Sequence, residues 1–432
     1  MNILPEIQFL ESLMDFGIKL GLEKTRYILE QLGNPHLKYP SVLVAGTNGK
    51  GSVARALANI LTVSGYKTGL YTSPHLVSVE ERIQIDGEKI PKAAFAEEVR
   101  RLRQVLFEEP YQVYPTFFEA LTAIAFSYFA KERIEILVCE VGMGGRFDAT
   151  NVLPSVLAVI TRIGKDHTQY LGNTYEEIAN EKAGIIKEGA AVVSAKQPSG
   201  AMGVLLRKAK ERKADLYYEG KHFRSRGVSR SIEGQIFSFF GQENILREIK
   251  TPLQGRHQIK NMSMVAQSAI LLKQQGFKIP SEAVYEGIET TVWPCRFQIL
   301  RREPYIILDG AHNPDGVKAL LKTLTECFPG IGFSFLMGAL KDKDWKKMLA
   351  LVLDNERAEE IVFTVPGNTR AISPDVLAGY VSGKKRGMKV KVIKEQAQAI
   401  RYIKETGKNW CICGSLYLCG DIMRSKGFRN LL

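Results

Sequence analysis

Apolar residues along this chain fall into two rhythms. Short, nearly continuous apolar runs occur at 42–45, 134–142 and 156–163, the pattern of strands buried on both faces of a parallel sheet. Apolar positions three and four apart predict helices over 7–32, 53–61, 116–131 and 174–187, and Gly33-Asn34-Pro35 stops the first. Shorter strands are expected at 67–71 and 191–194. The rhythm then changes. Residues 235–240 and 245–251 read as antiparallel strands, with a helix over 262–275 after them. Trp293-Pro294-Cys295-Arg296-Phe297 marks a boundary, beyond which strands at 305–309, 333–337, 361–365, 390–393 and 410–414 alternate with helical patterns. The expected fold class is α/β: a mostly parallel sheet with a smaller antiparallel part over 1–295, then a second, Rossmann-like sheet over 296–432.

The first run ends in Gly46-Thr47-Asn48-Gly49-Lys50-Gly51-Ser52, and a helical pattern follows at once. Strand, glycine-rich turn and helix form a phosphate cradle of the P-loop type. Glycines let backbone N–H groups turn inward, the helix N-terminus adds partial positive charge, and Lys50 supplies a full one. Two departures stand out. Gly51 separates Lys50 from Ser52, and Val44 occupies the place of the first glycine in the general pattern. The plainer reading is an ordinary strand-to-helix turn.

In an open parallel sheet, ligands bind beyond the carboxyl ends of the strands, and right-handed crossovers bring those ends to one edge. Four ends here are polar: the glycine turn, Ser73, Glu140 and Asp166-His167. Hydroxyl and carboxylate oxygens suit magnesium, the usual companion of a nucleoside triphosphate. Each residue also has a plainer reading. Ser73 precedes Pro74 and fits a turn or cap, and His167 is a soft ligand for magnesium and fits a satisfied loop histidine. Glu140, at the end of an apolar strand, needs a partner and so favours function.

The chain has 432 residues, with 59 Lys and Arg against 46 Asp and Glu, a net charge of +13. That balance suits an anionic ligand. The basic residues are spread along the chain, so nucleic acid is not expected, and the run Arg207–Lys213 reads as a solvated helix face. Six scattered cysteines without a Cys-x-x-Cys pair read as free thiols, Cys411 and Cys413 on one face of a strand. With no signal-like N-terminus and no apolar run long enough to cross a bilayer, a cytoplasmic protein without membrane contact is expected.

The glycine loop resembles the ATP loop of the folylpolyglutamate synthase and dihydrofolate synthase family, a branch of the Mur ligase superfamily, including the glycine after Lys50. Further stretches agree in order: Tyr71-Thr72-Ser73-Pro74-His75-Leu76, the run Glu140 to Asn151, Asp166 to Gly172, Glu181-Lys182-Ala183-Gly184, Gly255 to Asn261, and Asp309-Gly310-Ala311-His312-Asn313-Pro314. The resemblance implies an ATP-binding Mur-ligase-type part with a folate site, followed by a glutamate ligase domain. It implies that Ser73, Glu140 and His167 hold two magnesium ions and that Lys182 is carbamylated. It implies that Asn261, Arg296 and Asp309 contact ATP and that His312 lies near the transferred phosphate. Arg82 and Asp148 are implied to bind the pterin-bearing substrate. On pattern alone, Lys182 reads as a surface helix lysine, Asp309 as a helix N-cap, and Phe117 and Phe118 as helix core.

The implied activity is ATP-dependent addition of L-glutamate to reduced folates through an acyl phosphate, with dihydropteroate as a second acceptor, by a monomer acting on small molecules. The alternatives are a Mur-type ligase acting on a peptidoglycan precursor, a non-catalytic nucleotide-binding switch, and a nucleic-acid ATPase.

Overall fold

The computed structural model describes residues 4–16, 21–107, 113–384, 388–425 and 427–428. Eight strands form the first sheet: β1 (Ser41–Ala45), β2 (Thr68–Tyr71), β3 (Ile83–Ile85), β4 (Glu88–Lys89), β5 (Ile136–Glu140), β6 (Leu157–Ile160), β7 (Ala191–Ser194) and β8 (Asp215–Tyr218). Their order is β4-β3-β2-β5-β1-β6-β7-β8. Strands β2, β5, β1, β6, β7 and β8 run parallel, and the hairpin β3–β4 closes one edge antiparallel. The central strand β1 therefore delivers the glycine loop between the ends of β5 and β6.

Alternation along β1 divides the core. Leu43 and Ala45 face a layer that includes helices Lys92–Leu106 and Phe117–Lys131. Val42 and Val44 face helices Lys50–Val63, Arg256–Gln274 and Ser281–Glu289. A three-stranded antiparallel sheet of β9 (Arg224–Ser231), β10 (Gly234–Phe240) and β11 (Ile245–Thr251) packs Phe237, Phe239 and Ile249 into that second layer.

The remaining strands are β12 (Gln298–Arg302), β13 (Tyr305–Leu308), β14 (Phe333–Met337), β15 (Ala358–Phe363), β16 (Lys389–Val392) and β17 (Trp410–Cys413). They form a second sheet in the order β12-β13-β17-β14-β15-β16, parallel except for β12. Cys411 and Cys413 share one face and Trp410 and Ile412 the other, as alternation requires. All six cysteines are free. Among the described residues, no helix is long and apolar enough to cross a membrane.

Several elements differ from the sequence expectation. The helix expected over 7–32 is two helices, Leu4–Ser12 and Glu23–Gln31. Gly21, at φ +149, lies before the second, and residues 17–20 fall outside the described residues. The helix expected over 174–187 ends at Ala183, with Gly184 as its C-cap, where the Arg146 backbone leaves no room for a Cβ. The helix expected over 262–275 starts six residues earlier, at Arg256. Asp309 is not a helix cap, since the helix Pro314–Cys327 is capped by Asn313, whose side chain accepts from Gly316 N–H.

Candidate active site

The glycine loop is shaped by its contacts. Gly49 has φ +95 and lies directly before the helix Lys50–Val63, and a Cβ there would stand 2.8 Å from the Asn261 amide. A Cβ on Gly51 would stand 2.9 Å from the Trp293 indole. That contact gives a physical reason for glycine after Lys50, where other phosphate loops carry a hydroxyl residue. Gly46 sits against the Thr161 side chain, and the Thr47 hydroxyl lies 2.9 Å from the Gly164 amide. Ser52 is buried, and its hydroxyl is 3.3 Å from Gln258 Nε2, which links the loop to Asn261 through the Gln258–Asn261 bond of 3.0 Å.

Two buried groups flank the loop. Glu140, at the end of β5, places Oε1 4.0 Å from Lys50 Nζ and accepts the Ser73 backbone amide at 3.1 Å on Oε2. Burial raises its pKa, while Lys50, the Ser73 amide, Arg296 and Arg82 favour the carboxylate. Lys182 is buried, not on the surface, and donates to the Gly46 carbonyl at 2.9 Å. Burial and the Lys50 charge lower its pKa to about 7. The run Gly142 to Asn151 wraps beneath it. A Cβ on Gly145 would lie 2.7 Å from the Glu181 carbonyl and 3.0 Å from Lys182 Cα.

The end of β6 supplies Asp166 and His167. His167 holds a left-handed backbone, φ +51, uncommon for residues other than glycine though histidine adopts it more readily than most. Its partner comes from the second sheet: Lys343 Nζ lies 2.6 Å from Asp166 Oδ1 and 3.2 Å from His167 Nε2. An ammonium can only donate, so Nε2 presents its lone pair. Asp166 also meets His312 at 3.7 Å and Asn313 at 3.3 Å, and Asn313 exchanges amide bonds with Asn48 of the loop. Burial alone would raise the Asp166 pKa, but Lys343, His167 and His312 together hold it well below the usual carboxylate range. Burial and Lys343 lower His167 and His312 to about 4 each, so both rings are neutral at pH 7. His312 Nδ1 lies 2.8 Å from the Gly310 carbonyl and carries its proton there, so Nε2, 3.7 Å from Asp166 Oδ2, is unprotonated.

The remaining predicted residues divide into two groups. Arg296 bonds the Cys295 carbonyl at 3.0 Å, and its charge reaches Glu140 and His312. Asp309 spends both oxygens on backbone amides, Phe297 at 2.7 Å and Ala311 at 2.8 Å, and thereby fixes the loop carrying His312. On the other side, Arg82 is buried, takes the His75 Nδ1 lone pair at 3.0 Å and covers the Phe117 ring at 5.3 Å. Phe117 and Phe118 are only partly buried, packed against the edge of the core. Asp148 ties its own loop, accepting from Met143 N–H at 2.8 Å and from the Thr150 amide and hydroxyl at 3.0 and 2.6 Å. Lys343, Asn313, Gln258 and Trp293 were not singled out from sequence. Lys343 stands beyond the carboxyl end of β14, so the rule that selected Glu140 applies to it equally.

A glycine cradle at a parallel-sheet edge, a buried carboxylate–lysine pair and a second sheet reaching across to them define a two-part ATP-dependent ligase. Residues 44–269 match the Mur ligase middle domain and residues 295–415 the Mur ligase glutamate ligase domain. The chain is 37% identical over 346 residues to a dihydrofolate synthase/folylpolyglutamate synthase of Bacillus subtilis, covering 78% of this chain and 79% of that protein. It is 33% identical to a folylpolyglutamate synthase of Lacticaseibacillus casei, covering 98% and 99%. The folylpolyglutamate synthase of Mycobacterium tuberculosis, solved with ADP and AMPPCP, superposes with a TM-score of 0.89 at 31% identity, covering 100% and 99%. The chain belongs to the folylpolyglutamate synthase and dihydrofolate synthase family of ATP-dependent ligases.

Proposed function

We propose that this chain joins L-glutamate to the terminal carboxylate of reduced folates, and to dihydropteroate as a second acceptor, through an acyl phosphate. The observation that carries this reading is the convergence of Lys50, Glu140, Lys182, Asp166, His167 and His312 at one edge where the two sheets meet. Residues 1–295 would bind ATP and folate, and residues 296–432 would bring the glutamate.

A carboxylate resists attack by an amine, so it is first phosphorylated. Lys50 and the loop amides from Gly49 to Ser52 would hold the triphosphate and offset charge on the transferred phosphoryl group, while the Thr47 and Asn48 amides anchor the loop to the Arg162 carbonyl. Asn261, Arg296 and Asp309 would complete the nucleotide pocket. His312, held through Nδ1 on the Gly310 carbonyl, would lie near the transferred phosphate. The folate would lie against Arg82, Phe117 and Asp148. The glutamate amine then attacks the acyl carbon and phosphate leaves. Both steps need water excluded, which closure of one half on the other supplies.

Magnesium fits the donor set. Glu140 and Ser73 offer hard oxygens, and His167 Nε2 already faces a cation. Among the described residues no three His, Cys, Asp or Glu side chains come together as a complete cage. Phosphate oxygens would fill the rest, as is usual for this ion. The ion would neutralise charge between the phosphates. The Lys182 amine, poised at about 7, suits addition of carbon dioxide: the neutral nitrogen forms the C–N bond, one proton leaves, and a carbamate with two oxygens results. We take the chain to act as a cytoplasmic monomer on small molecules, without nucleic acid.

The test supplies tetrahydrofolate and dihydropteroate separately with ATP, magnesium and labelled glutamate. Label should enter both acceptors. Entry into neither removes the folate assignment, and ATP cleavage driven by a sugar nucleotide would favour a peptidoglycan ligase.

A further inference from the structure

The incoming amino acid poses a recognition problem that the groups above leave open. It carries two carboxylates and one ammonium, and its nitrogen must face the acyl carbon. Lys50, Lys343 and Arg296 give this edge of the cleft cationic side chains that attract carboxylates and select no ammonium.

One nearby carboxylate has the required chemistry. Asp342 lies beyond the carboxyl end of β14, next to Lys343, on the loop leading to the helix Trp345–Leu353. Its side chain is 10% exposed. Oδ2 accepts from Arg370 Nη1 at 3.1 Å. Oδ1 is buried and has no hydrogen-bond donor among the described residues. A buried carboxylate oxygen without a donor is unfavourable and rarely left so. Asp342 immediately precedes Lys343, whose Nζ lies 2.6 Å from Asp166 Oδ1 and 3.2 Å from His167 Nε2, and this sets it beside that edge of the cleft.

The loop cannot easily swing away. Lys341 N–H donates to the Arg370 carbonyl and Ile372 N–H to the Ala339 carbonyl, each at 2.9 Å. A Cβ on Gly414 would stand 2.6 Å from the Gly338 carbonyl, so the ends of β14 and β17 are pressed together there. Arg370, which holds Oδ2, lies over the Tyr417 ring at 5.9 Å. The carboxylate is thus fixed by one oxygen, while the other is left without a hydrogen-bond donor among the described residues.

We propose that Asp342 Oδ1 receives the ammonium of the incoming glutamate and orients it toward the acyl phosphate; this rests on the ligase reading above. The ammonium first gives one proton to solvent, since only the free amine carries a lone pair; the amine then forms the C–N bond, the acyl C–O bond to phosphate breaks, and the second proton leaves with the phosphate. Acyl phosphate and ammonium together give amide, hydrogen phosphate and one proton, so Asp342 is unchanged over the cycle. It acts as a binding and positioning residue that distinguishes the amine end of the substrate from its carboxylates.

The test is Asp342→Asn, which keeps the shape and an acceptor for Arg370 but removes the charge. The KM for glutamate should rise about 10- to 100-fold, the loss of one charge-assisted bond, while the KM values for ATP and tetrahydrofolate stay within about twofold. Hydroxylamine attacks an acyl phosphate without carrying an ammonium at neutral pH, so hydroxamate formation by the variant should match wild type. An unchanged glutamate KM, or loss of hydroxamate in parallel, overturns the proposal. Wild-type protein gives a test that needs no variant: glutarate, which lacks the amine, should compete at least about tenfold more weakly than glutamate binds. Equal affinity contradicts the role. Absence of hydroxamate from wild type removes the ligase reading itself, a result distinct from failure of Asp342.

Discussion

At Gly49 two constraints coincide, a left-handed backbone and the Asn261 amide 2.8 Å from any added Cβ. Gly49→Ala should therefore weaken ADP binding about tenfold or more by calorimetry, with strain of about 1–3 kcal/mol. Lys182 argues differently. A lysine on a mostly polar helix gives no periodic sign of burial; only its packing under Gly46 and over Gly145 reveals it. Its amine is charged below about pH 7 and neutral above. Carbamylation needs the neutral form, so activity should fall as pH drops through 7, and added bicarbonate should restore part of it. Activity at pH 6 that ignores carbon dioxide would contradict the carbamate. Lys182→Ala should lower kcat about 100-fold, as loss of a metal-supporting group does. Lys343 was open to the strand-end argument but is embedded in Lys341-Asp342-Lys343-Asp344, which reads as a solvated charge run.

Among elements, the buried strands of both sheets were legible because apolar runs of this length leave few alternatives. The strands that sequence missed lack that mark. β9 reads Arg-Ser-Arg-Gly-Val-Ser-Arg-Ser and owes its conformation to pairing with β10, and β3 and β4 are too short to show a period. The helix Phe117–Lys131 begins where Thr116 accepts the Glu119 amide and Glu119 returns the bond, a capping box that its sequence announces. Thr116→Ala should lower stability by about 1 kcal/mol in denaturant unfolding and leave the glutamate KM unchanged.

Across the whole molecule, the two sheets meet through Lys343–Asp166, His312–Asp166 and the Asn48–Asn313 pair. Each half was legible from its pattern; their meeting came only through the resemblance that set Arg296, Asp309 and His312 at the nucleotide, because the contacts themselves join residues far apart, as Asp166 and Asn313 are at 147 positions. Lys343→Met leaves a buried carboxylate without its ammonium and should cost about 3 kcal/mol in unfolding free energy. Asp166→Asn in the same chain should recover part of that loss. The central claim is that this meeting edge transfers a phosphoryl group to a folate carboxylate. The measurement closest to it uses tetrahydrofolate polyglutamate labelled with oxygen-18 in its terminal carboxylates. With one glutamate added per acceptor, one labelled oxygen should appear in the inorganic phosphate for each labelled acceptor extended. Glutamate addition that leaves the phosphate unlabelled would contradict the account.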